Sequence, residues 1–438
     1  MFGSTVLRNR DFVLLWTGNA VSHIGLQGVR IAYPLLTLIL TDSPISASIV
    51  AFAIALPGLI FEIPAGVAAD LWDRRQTLML CQRVGLTATL IALLVITVRP
   101  PGLTVFLAVA AFAEGSAYVF FQTSELVLVR DVVTESDRAA AFSFLEVQQP
   151  IANMMGRILG AATLGLARGL PFLTNAASYL YCLWTLSRIR SQGQRAPKAE
   201  SIESESIWDW QQARIGIRSL WSDQFARETT LLIGATNAII QTFILLLTLE
   251  IRASGHSAWA VGLVLGASGL GGVLSAIPAA ALSTRIPVRI ALLVMLWGWA
   301  LLFILMVLTS NTVILTVCWM GVGFLAAIGG IPLTLYRVRA FPDAIIGRIL
   351  GAHKLIAHGG TALGALASGW LISTLGTATV GWVLIVVMML LARRARRLPE
   401  PQPPAAVRSR SPVPPATWIV RVSRNSGGMD NATGRSQS

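Results

Sequence analysis

Long apolar runs dominate this chain, and their length limits the folds that it can adopt. A bilayer core about 30 Å thick is crossed by about 20 helical residues. Because 54% of the residues are apolar and only 13% are charged, a soluble fold could not bury the apolar surface. The sequence therefore predicts an all-α polytopic membrane protein with twelve transmembrane helices. We expect them near residues 12–38, 46–69, 76–98, 102–126, 140–167, 171–187, 229–249, 258–282, 288–309, 312–335, 353–375 and 377–391.

The net charge of +13 is carried mainly by arginines, and their placement decides what it means. They concentrate in alternate loops, for example at Arg74 and Arg75, at Arg337 and Arg339, and in the tail at Arg393. This alternation is typical of the positive-inside rule, and it predicts a plasma-membrane protein with both termini in the cytoplasm. The basic charge therefore indicates the lipid bilayer as a partner and gives no reason to expect nucleic acid.

The runs fall into two sets of six, which predicts two six-helix bundles. We expect an N-terminal bundle at residues 1–187, a cytoplasmic linker at 188–228, a C-terminal bundle at 229–391 and a disordered basic tail at 392–438. Within the linker, apolar residues from Ile207 to Phe225 recur on one helical face. This pattern indicates a helix lying at the membrane surface, with a partner-binding helix as the alternative.

Polar residues recur at helical spacing inside several of the apolar runs. Because polar groups are costly in lipid, such stripes usually face the interior of a bundle or a wet cavity. The stripes predict a substrate cavity lined by Asn19, His23, Gln27, Arg30, Tyr118, Gln149, Asn153, Arg157, Asn237 and Gln241.

Arg30, Glu114 and Arg157 are the deepest charged residues in these runs. Pairing relieves the cost of a buried charge, so Glu114 could pair with either arginine. Two interpretations stay open: Glu114 is the proton-coupling residue, or it forms a permanent ion pair that fixes helix packing. His23 is a second proton carrier or an interior histidine with satisfied hydrogen bonds. Two arginines against one glutamate predict a preference for acid-bearing substrates.

The sequence contains no pattern typical of a metal site or of ATP hydrolysis. No histidine pair has metal-ligand spacing with a supporting carboxylate, and Cys81, Cys182 and Cys318 are widely separated. No G-x-x-x-x-G-K-S/T phosphate-binding loop occurs, which argues against direct ATP drive. We expect no metal site, no cofactor and no enzymatic activity.

A short charged segment separates the second and third runs. Gly66, Asp70, Arg74 and Arg75 match the G-x-x-x-D-R-x-G-R-R signature of the major facilitator superfamily, with Asp73 between them. The segment resembles the loop between helices 2 and 3 of that family. The resemblance implies the major facilitator fold and a gate that holds the two halves together on the cytoplasmic side. The alternative is an ordinary charged loop that sets topology.

Further segments are similar to macrolide-efflux-like and enterobactin-exporter-like facilitators, including residues 56–66 and 137–141 and the run at 342–348. This resemblance implies a monomeric, proton-coupled antiporter that exports a small amphipathic molecule, such as an antibiotic, a siderophore or another natural product, by alternating access. A non-transporting membrane sensor or assembly partner, and a solute importer, remain as alternatives.

Overall fold

A computed structural model describes residues 6–189, 210–283 and 285–399 of the chain. The regular structure in these ranges is helical. The α-helices are α1 (Arg10–Thr41), α2 (Pro44–Leu71), α3 (Arg74–Val98), α4 (Leu103–Val132), α5 (Arg138–Leu166), α6 (Leu170–Arg188), α7 (Trp210–Ser222), α8 (Gln224–Ala253), α9 (Ala258–Ser283), α10 (Val288–Val307), α11 (Thr312–Ala340), α12 (Asp343–Leu375) and α13 (Thr377–Ala395).

Polar residues at the helix junctions determine where several helices begin. Ser43 accepts a hydrogen bond from the backbone N–H of Ser46 at 3.2 Å, and Asp223 does the same for Ala226 at 2.8 Å. Such caps satisfy backbone donors that the first helical turn leaves without partners. Short capped junctions therefore reverse the chain between long neighbouring helices.

The helices form two bundles with the same internal pairing. In the N-terminal half, α1 packs on α5 and α6, α2 on α4, and α3 on both α4 and α6. In the C-terminal half, α8 packs on α12 and α13, α9 on α11, and α10 on both α11 and α13. The second six helices thus repeat the arrangement of the first, as the division of the apolar runs predicted.

Ten of the described helices are long and apolar enough to cross a membrane. Helices α5 and α6 complete the twelve-helix bundle by packing against α1. Large apolar side chains cover the outer surface, including Leu94, Val105 and Val313, which are 61%, 64% and 71% exposed. A surface of this kind fits lipid, which confirms the predicted all-α multi-pass membrane fold.

Some helix boundaries differ from the sequence prediction. Helix α8 begins at Gln224 rather than near 229, and α12 begins at Asp343 rather than near 353. Both extensions contain charged residues such as Glu228 and Arg348, which lower the hydropathy without ending a helix. In these two helices hydropathy therefore located the apolar core and missed the polar first turns.

The linker helix α7 packs on the C-terminal half. Leu220 is fully buried with Ala226, Ile349 and Ala352, and Gly216 lies against the backbone of Arg348. The buried face of α7 is therefore covered by α8 and α12, whereas the sequence suggested a helix lying on the membrane. Residues 190–209 of the predicted linker and 400–438 of the predicted tail lie outside the described residues.

The two halves meet along two seams, α5 against α9 and α2 against α12. Close approach requires glycine at several points. A side chain added at Gly262 would collide with Ala161 of α5, and one added at Gly369 would collide with Ser48 at the start of α2. Both seams are tight towards the face where α2 and α9 begin.

Towards the other face, where α1 begins and α13 ends, the seams separate. We call this the terminal face. Gly66 on α2, Gly272 on α9 and Gly351 on α12 have open space where a side chain would project. The bundle is therefore closed at one face and open at the terminal face.

Candidate functional site

A cavity of about 370 Å³ lies between the two halves. Its wall is built by α1, α2, α4 and α5 of the N-terminal half and by α8, α9 and α12 of the C-terminal half. Five of the residues predicted from the polar stripes line it, namely Gln27, Arg30, Tyr118, Arg157 and Gln241. Both apolar and polar side chains face the space, which suits an amphipathic molecule.

Arg30 and Arg157 give this cavity a positive wall. The guanidinium carbon of Arg30 lies 4.7 Å from the centre of the Tyr118 ring, a cation–π contact. Arg157 Nη1 donates to the carbonyl oxygen of Leu265 at 3.2 Å and lies 3.4 Å from Ser268 Oγ. Within the described residues neither guanidinium forms an ion pair with a carboxylate. Both can therefore receive an anionic group of a substrate.

A carboxylate on α2 connects the two halves at the cavity. Glu62 lies 3.2 Å from Lys354 Nζ and 3.4 Å from His358 Nδ1, both on α12. Its side chain is only 11% exposed, whereas those of Lys354 and His358 are 56% and 42% exposed. This charged group spans the α2–α12 seam, which must change if the halves move relative to each other.

Glu114 lies inside the N-terminal half and does not line the cavity. Its Oε1 atom accepts hydrogen bonds from Thr89 Oγ1 at 3.1 Å, Asn175 Nδ2 at 2.5 Å and Tyr179 Oη at 2.6 Å. The suggested ion pair with an arginine does not form in this structure, because Glu114 faces α3 and α6. Residues four positions apart on a helix are rotated by about 40° around its axis. Glu114 is therefore turned away from the cavity, which Tyr118 and Gln122 line on the same helix.

Asn19 and His23 belong to a second buried polar cluster. Asn19 Nδ2 donates to Glu125 Oε1 at 2.7 Å, and His23 Nε2 lies 3.2 Å from Glu125 Oε2. All three residues are almost completely buried. This cluster joins α1 to α4 and satisfies the polar groups of the residues that were predicted to face substrate.

Three other predicted cavity residues also lie away from its wall. Asn237 Nδ2 donates to the carbonyl oxygen of Ala357 at 3.2 Å and so ties α8 to α12. Gln149 lies beside the Tyr118 hydroxyl, and Asn153 is half-buried on α5. Neither of these α5 residues is part of the cavity lining, so the stripe on α5 contributes only Arg157.

The charged segment between α2 and α3 makes its contacts within the N-terminal half. Arg74 Nη1 lies 2.5 Å from Asp131 Oδ2 at the end of α4. Arg75 donates from Nε and Nη2 to the carbonyl oxygens of Leu186 and Ser187 at the end of α6, each at 2.9 Å.

Asp73 begins α3 by accepting from the Gln76 N–H at 2.9 Å. The side chain of Asp70 lies outside the part of the chain that the structure describes. In this open arrangement the two arginines therefore tie α3 to α2, α4 and α6, and within the described part of the chain none of their hydrogen bonds or ion pairs reaches α12.

The described residues contain no group of His, Cys, Asp and Glu side chains that could hold a metal ion. The three cysteines are buried and unpaired. The chemistry of the site therefore consists of hydrogen bonds, charge and apolar contact.

Sequence comparison now assigns the family. The family model of the Major Facilitator Superfamily matches residues 15–260 and 229–426. The chain belongs to the major facilitator superfamily. The facilitator is 25% identical over 389 residues to the multidrug efflux pump Tap of Mycolicibacterium fortuitum, an alignment that covers 84% of this chain and 91% of that protein.

Solved structures agree with the fold of the facilitator. The nucleoside transporter NupG superposes with a TM-score of 0.72 at 14% identity, over 88% of this chain and 98% of that chain. A bacterial homologue of the iron transporter ferroportin, in an inward-facing state, superposes with a TM-score of 0.67 at 14% identity, over 90% and 99%. The resemblance drawn from the charged segment at residues 66–75 is thus confirmed.

The sequence prediction missed Glu62, a charged residue that lines the cavity of the facilitator. Glu62 is a lone charge in an apolar run, so it forms no stripe with neighbours. Its spacing of four from both Gly58 and Gly66 was the available signal, because glycines at helical intervals mark a face that packs closely.

Proposed function

We propose that this facilitator is a secondary active exporter of small amphipathic, acid-bearing molecules, driven by exchange with protons. One observation carries the proposal: a cavity between two repeated halves is open at the terminal face and closed at the other. A transporter that works by alternating access needs a central site with one side open at a time.

The packing of the seams supports a rocking motion. Small residues allow α5 and α9 to approach closely near the closed face, and open space at Gly66 and Gly272 leaves room for the terminal face to close. Helices that repack in this way are discrete, bistable elements rather than continuously deformable ones. Glu62, which spans the α2–α12 seam, would separate from Lys354 or move with it as the halves rock.

The substrate class follows from the cavity wall. Arg30 and Arg157 supply two positive groups, and residues such as Ile31, Leu35 and Leu245 supply apolar surface. Guanidinium groups bind carboxylate and phosphate well, because two parallel hydrogen bonds can form. The similarity to a multidrug efflux pump favours antibiotics, siderophores or other natural products as the exported molecules.

We further propose that Glu114 is the proton-coupling residue. It is completely buried, and all the hydrogen-bond donors at Oε1 are neutral. Burial without a cation disfavours the charged carboxylate, so a change in helix packing that admits water would release the proton. Tyr179 and Asn175 on α6 would transmit that change, since they contact Glu114 directly.

The arginine-rich loops support the proposed direction of export. These loops lie at the terminal face, where Arg74, Arg138, Arg289 and Arg348 are found near helix ends. The positive-inside rule places that face in the cytoplasm of a cell whose plasma membrane holds the protein. The open cavity would then collect molecules from the cytoplasm.

Accumulation of a compound panel in cells tests this proposal. Cells expressing the wild type should accumulate less of an acidic amphipathic compound than cells expressing Glu114→Gln, and a protonophore should remove the difference. The panel should pair each acid with its neutral methyl ester, so that charge selectivity is read directly. Higher accumulation in wild-type cells would indicate import, and equal export of acids and esters would contradict the role of the arginines.

A further inference from the structure

We infer that a cleft between α8 and α13 binds the head group of an anionic phospholipid. The cleft has a volume of about 410 Å³ and lies at the terminal face, apart from the central cavity. It is lined by Gln224 and Glu228 of α8 and by Leu390, Arg393, Arg394 and Arg397 at the end of α13.

The charges in this α8–α13 cleft are not balanced. Glu228 is already occupied, because its Oε2 atom lies 2.7 Å from Arg394 Nη2 and its Oε1 atom lies 3.6 Å from Arg227 Nη2. Arg393 and Arg397 have no ion-pair partner among the described residues. The cleft therefore presents two guanidinium groups that a phosphate can bind.

The position of the cleft along the helix matches the depth of lipid head groups. Helix α13 has 19 residues from Thr377 to Ala395. At 1.5 Å per residue it is about 28 Å long, close to the hydrocarbon thickness of about 30 Å. Arginines in and just after its last turn therefore lie at the head-group level rather than in the cytoplasm.

An apolar stripe leads from the bilayer into the cleft. Val383, Val386 and Leu390 are 46%, 49% and 56% exposed, and their helical spacing places them on the same face as Arg393 and Arg397. An acyl chain can lie along the three apolar residues while the phosphate contacts the two arginines. This continuous apolar and cationic surface has the two-part chemistry of a phospholipid.

Charge complementarity argues against the C-terminal tail as the occupant. Residues 400–438 contain Arg408, Arg410, Arg421, Arg424 and Arg435 against Glu400 and Asp430. A segment with this positive balance is repelled by two unpaired arginines. A soluble anion such as inorganic phosphate would satisfy the guanidinium groups but would leave the apolar stripe unused.

A lipid titration on the purified full chain tests the inference without using transport. The protein in neutral detergent is titrated with dioleoylphosphatidylglycerol, dioleoylphosphatidylcholine or inorganic phosphate, and the thermal midpoint is measured. Native mass spectrometry counts the retained lipid. The test variant is Arg393→Gln with Arg397→Gln, and Arg393→Lys with Arg397→Lys keeps the charge. Arg214→Gln with Arg218→Gln is the matched control, since it removes two exposed arginines of the same face.

Phosphatidylglycerol should raise the wild-type midpoint, and the Arg393→Gln, Arg397→Gln variant should need roughly 30-fold more of it, at about 1 kcal/mol per arginine. The control should respond like the wild type, and the lysine variant, which keeps the charge but not the paired hydrogen bonds of the guanidinium, should respond between the wild type and the glutamine variant. An unchanged response of the glutamine variant, an equal effect of phosphatidylcholine, or full stabilisation by phosphate alone would each overturn the lipid assignment. Failure of export in cells would leave these binding results unaffected.

Discussion

The two halves of the molecule share one arrangement of helices and differ in how they use polar residues. The main packed pairs of helices in α1–α6 have their counterparts in α8–α13. The N-terminal half nevertheless contributes Arg30, Glu62 and Arg157 to the cavity, while the C-terminal half contributes mainly neutral residues such as Gln241 and Thr248. The repeat thus preserves packing and leaves the cavity wall free to differ.

This difference separates two tasks. Movement depends on the shared packing, so changes at equivalent seam positions should act alike in both halves. The proposed recognition of acids depends on charge, so changes in the cavity wall should act unequally.

The strongest test of the charge difference compares Arg157→Gln with Gln241→Ala. Losing a desolvated charged contact costs about 3 kcal/mol, or roughly 100-fold in affinity for an acidic substrate. Losing a neutral hydrogen bond costs about 1 kcal/mol, or roughly fivefold. Binding to the purified protein of the acid found in the accumulation panel measures both. Equal losses from the two halves would remove the proposed asymmetry.

The packing symmetry is tested by Gly66→Leu in the N-terminal half and Gly272→Leu in the C-terminal half. Both positions have open space now, so neither change should impair substrate binding from the terminal face. Closure of that face would bring the new side chains against the other half, and overpacking of about 2 kcal/mol would slow transport roughly 30-fold in each variant.

Gly330→Leu on α11 is the control for these two variants, since it also has open space but lies outside the α2–α12 and α5–α9 seams. It should transport like the wild type. A large loss in only one of the two seam variants would show that the halves do not move as equivalent bodies.

Glu114→Gln should uncouple transport from protons without weakening substrate binding, because the side chain does not line the cavity. With an imposed gradient of about one pH unit, the accumulation ratio in everted vesicles should fall about tenfold, because one coupled proton then supplies about 1.4 kcal/mol. Glu135→Gln, at a side chain that is 92% exposed, should change nothing. A Glu114→Gln protein that still responds to the pH gradient would place coupling elsewhere, with Glu62 as the next residue to test.

The smallest expected effect concerns the charged contact that crosses the seam. Glu62→Gln and Lys354→Gln should each change the transport rate about threefold, since partly exposed ion pairs contribute under about 1 kcal/mol. The double variant should resemble either single variant, because both remove the same contact. Additive effects, measured as initial rates in vesicles, would show that the two residues act separately.

The fold was predictable from the sequence mainly because the length of an apolar run marks a membrane helix, a criterion that ten of the described helices meet. The cavity was only partly predictable. Gln27 and Arg30 lie on one helical stripe and face the cavity, as expected from their spacing. Glu62 was missed because a single charge has no periodicity. Its partners Lys354 and His358 are 292 and 296 positions away, as their numbers show, so only the folded chain brings them together.

Glu114 illustrates a different limit of sequence reasoning. A spacing of four residues drifts by about 40° per step around the helix, so the ends of a long stripe face different neighbours. Tyr118 reaches the cavity, whereas Glu114 reaches Thr89 and Asn175. Likewise, the helical spacing of Asn19 and His23 predicted that they line the cavity. In the folded chain both side chains contact the buried Glu125 instead.

The open terminal face also affects how fast a molecule reaches the cavity. Arginines such as Arg285, Arg289 and Arg348 surround this face and create a positive field that attracts anions before contact. The field extends about 30 Å in 0.01 M salt and about 8 Å in 0.15 M salt. Added salt should therefore slow the capture of an acidic molecule while leaving its escape rate nearly unchanged. The same loops that orient the protein in the membrane would then also steer its cargo.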